Sequence, residues 1–200
     1  MDANSGTRGL LGIHLLGMLV PGGALEASPR HDTSASRAAR SPAPGAKHVL
    51  PYEESVRLTL LGNGRTHEVR AHLQRMRALA MAAAGPEVSV RRASLDTEFR
   101  ALVGEIERIA RATEFHGIRL LDGTNTFVSI QLKPAGGVVA SLRLQNLTTS
   151  NLGLQGLDVS SFTTAALALR ALDQAADTAR LYGRYLDGAL SRLLRHCEPD

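Results

Sequence analysis

Ser94–Gly123, SLDTEFRALVGEIERIARATEFHGIRLLDG, decides the fold, because its pattern is both long and unambiguous. Leu95, Phe99, Leu102, Ile106, Ile109 and Thr113 fall at alternating spacings of four and three, a heptad seam on one face of a helix. Most charges lie off that seam. Glu105 precedes Arg108 by three and Glu107 precedes Arg111 by four, the order that supports an exposed helical surface. Asp96 and Glu98 are expected in the first turn, and Arg108 and Arg111 near the last, where each suits the helix dipole. Thr113-Glu-Phe-His-Gly117 then breaks the period, and Ile118-Arg-Leu-Leu-Asp-Gly123 reads as an apolar hook closed by an Asp-Gly turn.

Upstream, Val69, Leu73, Met76, Ala80 and Ala83 repeat the same seam, and Gly85-Pro86 ends it. With the seams facing, helix, break and helix make an antiparallel hairpin. Pro51-Tyr-Glu-Glu opens a regular segment over Ser55 to Leu61, and Gly62-Asn-Gly64 is read as a turn that breaks it. That glycine spacing fits neither a P-loop nor a dinucleotide fingerprint. Downstream of Gly123 the period becomes alternating. Val128, Ile130 and Leu132 oppose Ser129, Gln131 and Lys133; after a Pro134-Ala-Gly-Gly137 turn, Ala140, Leu142 and Leu144 oppose Ser141, Arg143 and Gln145. This predicts a β-hairpin over about 127–145 with one buried face, packed on the helices because an isolated hairpin is marginal. The last helix, capped by Thr163 or Thr164, is expected from Ala165 to Arg195. Its seam runs Ala165, Ala168, Leu172, Ala175, Ala179, Tyr182, Leu186, Ala189, Leu193, and the recurrent alanine implies close approach of neighbouring helices. The fold class is mainly α: an elongated antiparallel three-helix coiled-coil bundle with one packed β-hairpin over residues 51–200.

Composition agrees with slender seams. The chain has 200 residues, 44% hydrophobic but only 4% aromatic, with no Trp. One cysteine, Cys197, excludes a disulfide framework within the chain. The formal charge of +4 is carried almost wholly by arginine, yet no aromatic residues interleave with the basic ones to stack on bases, so no nucleic-acid partner is expected. Residues 1–50 read differently, as a disordered or targeting segment. Leu10 to Val20 is a short apolar run before Pro21-Gly-Gly-Ala24; a signal peptide within residues 1–24 is one reading, and the run is too short for a membrane span. Glu26 to Lys47 lacks the large apolar residues needed to order it.

Catalytic, cofactor and metal sites are all expected to be none. The histidines at 14, 31, 48, 67, 72, 116 and 196 show no helical pairing with a carboxylate, and no nucleophile elbow appears. Acid pairs such as Glu105 and Glu107 read as solvated helix faces. Asn146-Leu-Thr148 matches a glycosylation acceptor, a triplet common by chance.

The order of these segments resembles bacterial flagellins, in the D1 rod domain. ERIARATEFHG followed by IRLLDG is similar to that family's Arg-Ile-Ala, Thr-x-Phe-Asn-Gly, Leu-Leu-x-Gly run, with His116 where Asn is usual. LQRMRALAMAA, Leu73 to Ala83, resembles the Leu-Gln-Arg-x-Arg-Glu-Leu-Ala run of the first D1 helix, Ala78 replacing Glu. Leu152-Gly-Leu-Gln-Gly-Leu-Asp-Val159 is similar to the junction before the last helix, and Tyr182 to Leu193 matches more loosely. The resemblance covers about Arg65 to Leu193. A three-helix coiled coil of another kind would carry the same seams. The family likeness implies an extracellular structural subunit of the bacterial flagellar filament, with other flagellin subunits or flagellar junction proteins as partners, no enzyme activity and no membrane insertion. Positions that contact an animal innate-immune Toll-like receptor correspond by resemblance to Arg75, Leu79 and Glu98. Residues 1–64 lack the family's Ser-Gly-Leu-Arg-Ile-Asn and Asp-Asp-Ala-Ala-Gly stretches, and the sequence stops at Asp200 where the family continues into a last helix, so both terminal D0 segments are expected to be missing. A non-polymerising relative or a coiled-coil adaptor is the alternative.

Overall fold

In the computed structural model the described residues are 48–85, 90–132 and 139–195; the expectations for residues 1–47, for Cys197 and for the Pro134 turn fall outside them. The element order is β1 (Val49–Pro51), α1 (Tyr52–Ala83), α2 (Arg92–Ala112), β2 (Glu114–Phe115), β3 (Ile118–Arg119), β4 (Phe127–Gln131), β5 (Val139–Arg143) and α3 (Phe162–Arg195). The helix hairpin, β-hairpin and return helix are those the periodicities predict.

Helix α1 packs along both α3 and α2. Three contacts fix the antiparallel register with α3: the Tyr52 hydroxyl donates to Leu193 O at 2.9 Å, Asn63 Nδ2 to Asp187 Oδ1 at 2.7 Å, and Arg77 Nε meets Asp173 at 2.8 Å. Every predicted seam residue of α3, and Val69, Leu73, Met76, Ala80 and Ala83 of α1, is buried. Alanines at Ala165, Ala168, Ala175 and Ala179 let the two backbones approach, so a narrow interface still excludes water. The Arg92 guanidinium donates to Ala83 O (2.9 Å) and Gly85 O (3.0 Å), satisfying carbonyls that the end of α1 leaves open.

Four local expectations are corrected. Gly62-Asn-Gly64 is not a turn; α1 runs through it for 32 residues. Two mid-helix glycines cost about 1 kcal/mol each, but this half of α1 buries Leu58, Thr59, Gly62 and Thr66, with Gly62 facing Leu186 and Leu120 across the interface. Burying one large apolar side chain contributes roughly 1.5–3 kcal/mol, so packing outweighs propensity. Second, α2 begins at Arg92, which places Asp96 beyond the first turn. Third, the cap of α3 is Ser161: its Oγ accepts from Thr164 N (3.1 Å) while Thr164 Oγ1 accepts from Ser161 N (3.0 Å), a reciprocal box with Thr164 in the third helical position. Fourth, Ser129 faces inward. The predicted hairpin forms, in the register Ser129↔Ser141 and Ile130↔Ala140, and β1 adds in parallel on the other side of β4 (Leu50↔Ile130). As the central strand, β4 buries Ser129 completely, its Oγ without a hydrogen-bond partner among the described residues.

Between the helices and this sheet, β2 and β3 form a minimal hairpin (Phe115↔Ile118) whose two-residue turn is His116-Gly117, with φ of 48° and 80°. Both central residues of such a turn need positive φ, which Gly adopts freely and His only at some cost. The ring of His116 stacks on Phe115, centroids 4.2 Å apart.

Candidate interaction surface

Within the described residues no three His, Cys, Asp or Glu side chains stand close enough to hold a metal ion, and no helix is long and apolar enough to cross a membrane. The chemistry on offer is that of surfaces.

Arg75 and Glu98 come together across the α1–α2 hairpin: Arg75 Nη2 lies 2.7 Å and Nε 2.8 Å from Glu98 Oε1, both side chains exposed. Leu79, one turn further along α1, does not join them at the surface. It is 4% exposed and belongs to the hairpin's core, because it lies on the flank of α1 that meets α2. The periodicity read Val69 to Ala83 as a single stripe and therefore missed the wider apolar face that contact with two helices demands.

The face of α1 opposite the core carries a second seam. Leu60, Gly64, His67, Ala71, Gln74, Ala78 and Met81 are all exposed, alternate at four and three residues, and include no Asp, Glu, Lys or Arg. Leu60 and Met81, at its two ends, are 51% and 54% exposed. In water this stripe gains nothing. A facing helix could seat its side chains between the small residues, the geometry of knobs into holes.

The outer side of α2 is occupied from within the chain. Residues 144–161, without regular structure, run along it and bury Leu147, Leu152, Leu154 and Val159. Two carboxylates hold the strap's ends. Glu107 Oε2 accepts from Thr149 N (2.8 Å) and Thr149 Oγ1 (2.7 Å), and Asp96 Oδ1 accepts from Val159 N (2.9 Å). The other oxygen of each acid takes an arginine one turn on, Arg111 and Arg100. Glu107 is thus not simply part of a solvated face. Burial opposes its charge, yet the donations from Thr149 and Arg111 hold its carboxyl below the usual range. The hydroxyl and backbone N–H of Ser160 do the same for Asp158. Asn146 Oδ1 is similarly engaged, accepting from Thr148 N and Oγ1. Its side chain also lies over Gly123, where φ is 84° and a Cβ would come within 2.5 Å of the amide nitrogen.

On the other side of the hairpin, Tyr182 and Tyr185 of α3 stack with centroids 6.1 Å apart. The Tyr185 hydroxyl accepts from Arg143 N at 2.8 Å, tying the end of β5 to the helix. Burial pushes the Tyr182 phenol well up, although the backbone of Gln145 hydrogen-bonds to it.

Comparison with known proteins follows the same arrangement. Residues 58–126 match the family described as the bacterial flagellin N-terminal helical region. Flagellin of Halalkalibacterium halodurans is 33% identical over 147 residues, covering 72% of this chain and 54% of that protein. Flagellin E of Vibrio cholerae is 33% identical over 121 residues, 60% of this chain and 31% of that one. The chain thus spans about half the length of the first relative and about a third of the second. The crystal structure of Bacillus cereus flagellin superposes with a TM-score of 0.66 at 27% identity, covering 72% of this chain and 85% of that one. The family match begins in the half of α1 that the glycines disguise and runs through α2 and the His116-Gly117 turn to the start of the sheet, and the superposition takes in 72% of the chain: over these residues the chain is similar to bacterial flagellins.

Proposed function

We propose that this protein is a structural subunit of the bacterial flagellar filament, working outside the cell by helix-to-helix packing with other flagellin subunits. The observation that carries the reading is the uncharged outer seam of α1, from Leu60 to Met81, left open on a helix whose opposite face is already filled. A subunit that assembles by thousands needs a rigid element carrying two faces, one for its own core and one for a neighbour. In this reading the work is mechanical and no active site is required.

Arg75 and Glu98 border the same helix and belong to its partner-facing charge pattern, with Leu79 setting the packing beneath them. A Toll-like innate-immune receptor or a flagellar junction protein would use these positions too. A non-polymerising relative, or an adaptor for other flagellar proteins, would dock through the same seam without elongating.

The test is electron microscopy of the purified protein, alone and added to short filament seeds of a complete flagellin from the same cell. Elongation or incorporation, lost in Ala71→Glu and Ala78→Glu variants whose circular dichroism is unchanged, supports the subunit reading. Particles that never enter filaments, with or without the substitutions, reject it.

A further inference from the structure

A second face, on α3 and β5, gathers positive charge that no acid among the described residues neutralises. Arg170 and Arg184 are exposed and fourteen residues apart, two heptads, so they share one side of α3 at a separation of about 21 Å. Arg143 of β5, also exposed, stands beside the same helix. None of the three has an acidic partner among the described residues, and the acids of α3 are otherwise engaged: Asp173 with Arg77, Asp177 with Arg180, and Asp187 with Asn63.

Apolar surface runs between these cations. Leu167 and Leu181, each 57% exposed, are likewise two heptads apart on the neighbouring helical position. Beside Leu181 a groove of about 330 Å³ opens between α3 and β5, lined by Arg143, Gln145, Thr178, Leu181, Tyr182 and Tyr185. The bond from Arg143 N to the Tyr185 hydroxyl keeps the strand end in place as its wall.

We infer that this face binds an acidic amphipathic segment of a different protein, one apolar side chain seated over Leu181 and Tyr185 and its carboxylates facing Arg143, Arg170 and Arg184. Charge complementarity selects the occupant. A second copy fits poorly, because this chain is itself basic, at +4. Nucleic acid fits poorly as well: three cations over about 21 Å, with Asp177 between two of them and exposed leucines alongside, do not track a phosphate backbone. The face is separate from the outer seam of α1, so the inference does not depend on filament assembly.

A labelled 21-residue helical peptide with leucines at three- and four-residue spacing and glutamates on the flanks is the probe, titrated into the full chain and followed by anisotropy. Emission from the tyrosines gives a second readout, since two of the three, Tyr182 and Tyr185, line the groove. Saturable binding is expected, weakened about tenfold or more in Arg170→Glu/Arg184→Glu and in Arg143→Glu. It should be retained in Ala71→Glu. The inference is overturned by absence of binding, by affinity unchanged on charge reversal, or by equal affinity for a glutamate peptide without leucines, a single-stranded oligonucleotide or anionic phospholipid vesicles.

Discussion

Along the α1–α3 contact the nine seam positions of α3 from Ala165 to Leu193 are all buried, on a regular backbone that satisfies its own polar groups. The strap over α2 buries leucines too, but its backbone is irregular, and the side chains of Asp96 and Glu107 must take over N–H groups that no ladder accepts. One contact is periodic and apolar along its buried seam, with its carboxylates, Asp173 and Asp187, only at the exposed edge; the other hangs backbone N–H groups on charged acceptors at two points. Close helix packing thus makes a rigid rod from local repetition, while an irregular segment needs particular polar partners contributed from far along the chain.

The largest effect should come from breaking the seam. Leu172→Ala, at a fully buried position, is expected to cost about 2–5 kcal/mol, read as a lower urea midpoint with the same dependence on denaturant; a loss smaller than that of the strap variant would reverse the ranking. Next, Glu107→Ala leaves both donors of Thr149 without their acceptor and should cost about 1–3 kcal/mol. Hydrogen exchange should quicken in residues 147–152 and stay unchanged in α3. If α3 amides accelerate equally, the two regions are one cooperative unit.

Acid sharpens the comparison without mutation. The carboxyls of Glu107 and Asp158 are held below their ordinary values in the folded protein, so the stabilisation they confer is complete above the ordinary carboxylate range, about pH 4, and is lost as pH falls through the lowered values. Limited proteolysis by pepsin across decreasing pH should cut the strap before either long helix. Cleavage of α3 first would refute this.

Smaller effects are expected at the glycines of α1. A Cβ at Gly62 would sit 3.8 Å from Leu186 and 3.9 Å from Leu120, ordinary contacts, and one at Gly64 would meet nothing within 4 Å. Gly62→Ala and Gly64→Ala should each raise stability by about 0.5–1 kcal/mol, measured as a higher thermal midpoint. Destabilisation would show that the close α1–α3 approach itself requires glycine. Smallest of all, His116→Asn should gain about a few tenths of a kcal/mol by easing the positive φ, less whatever the stacking on Phe115 contributes.

Much of this architecture was legible in residue order because a heptad seam is a local signal. Phe99, Ile106 and Ile109 announce α2, and Leu172, Tyr182 and Leu186 announce α3, from spacings of three and four alone. Leu95 and Leu102 fit the same spacing yet stay half-buried, since only the contacts of α2 decide how wide its apolar face must be. Of the positions proposed to meet a partner, Arg75 and Glu98 came from the family likeness alone, and only the structure pairs them across the α1–α2 hairpin. The burial of Leu79 was not legible either, because it depends on which flank of α1 receives α2.

Local periodicity and turn chemistry by themselves determined three helices, a hairpin and their order, because each of those preferences is expressed within a few residues. Tertiary structure alone decided the rest. The parallel pairing of Leu50 with Ile130, the helical state of Gly62-Asn-Gly64, the grip of Glu107 on Thr149 and the groove between Tyr185 and Arg143 all join residues 40 or more positions apart. Such contacts follow from which faces remain to be covered once the helices have packed, and no spacing along the chain records that.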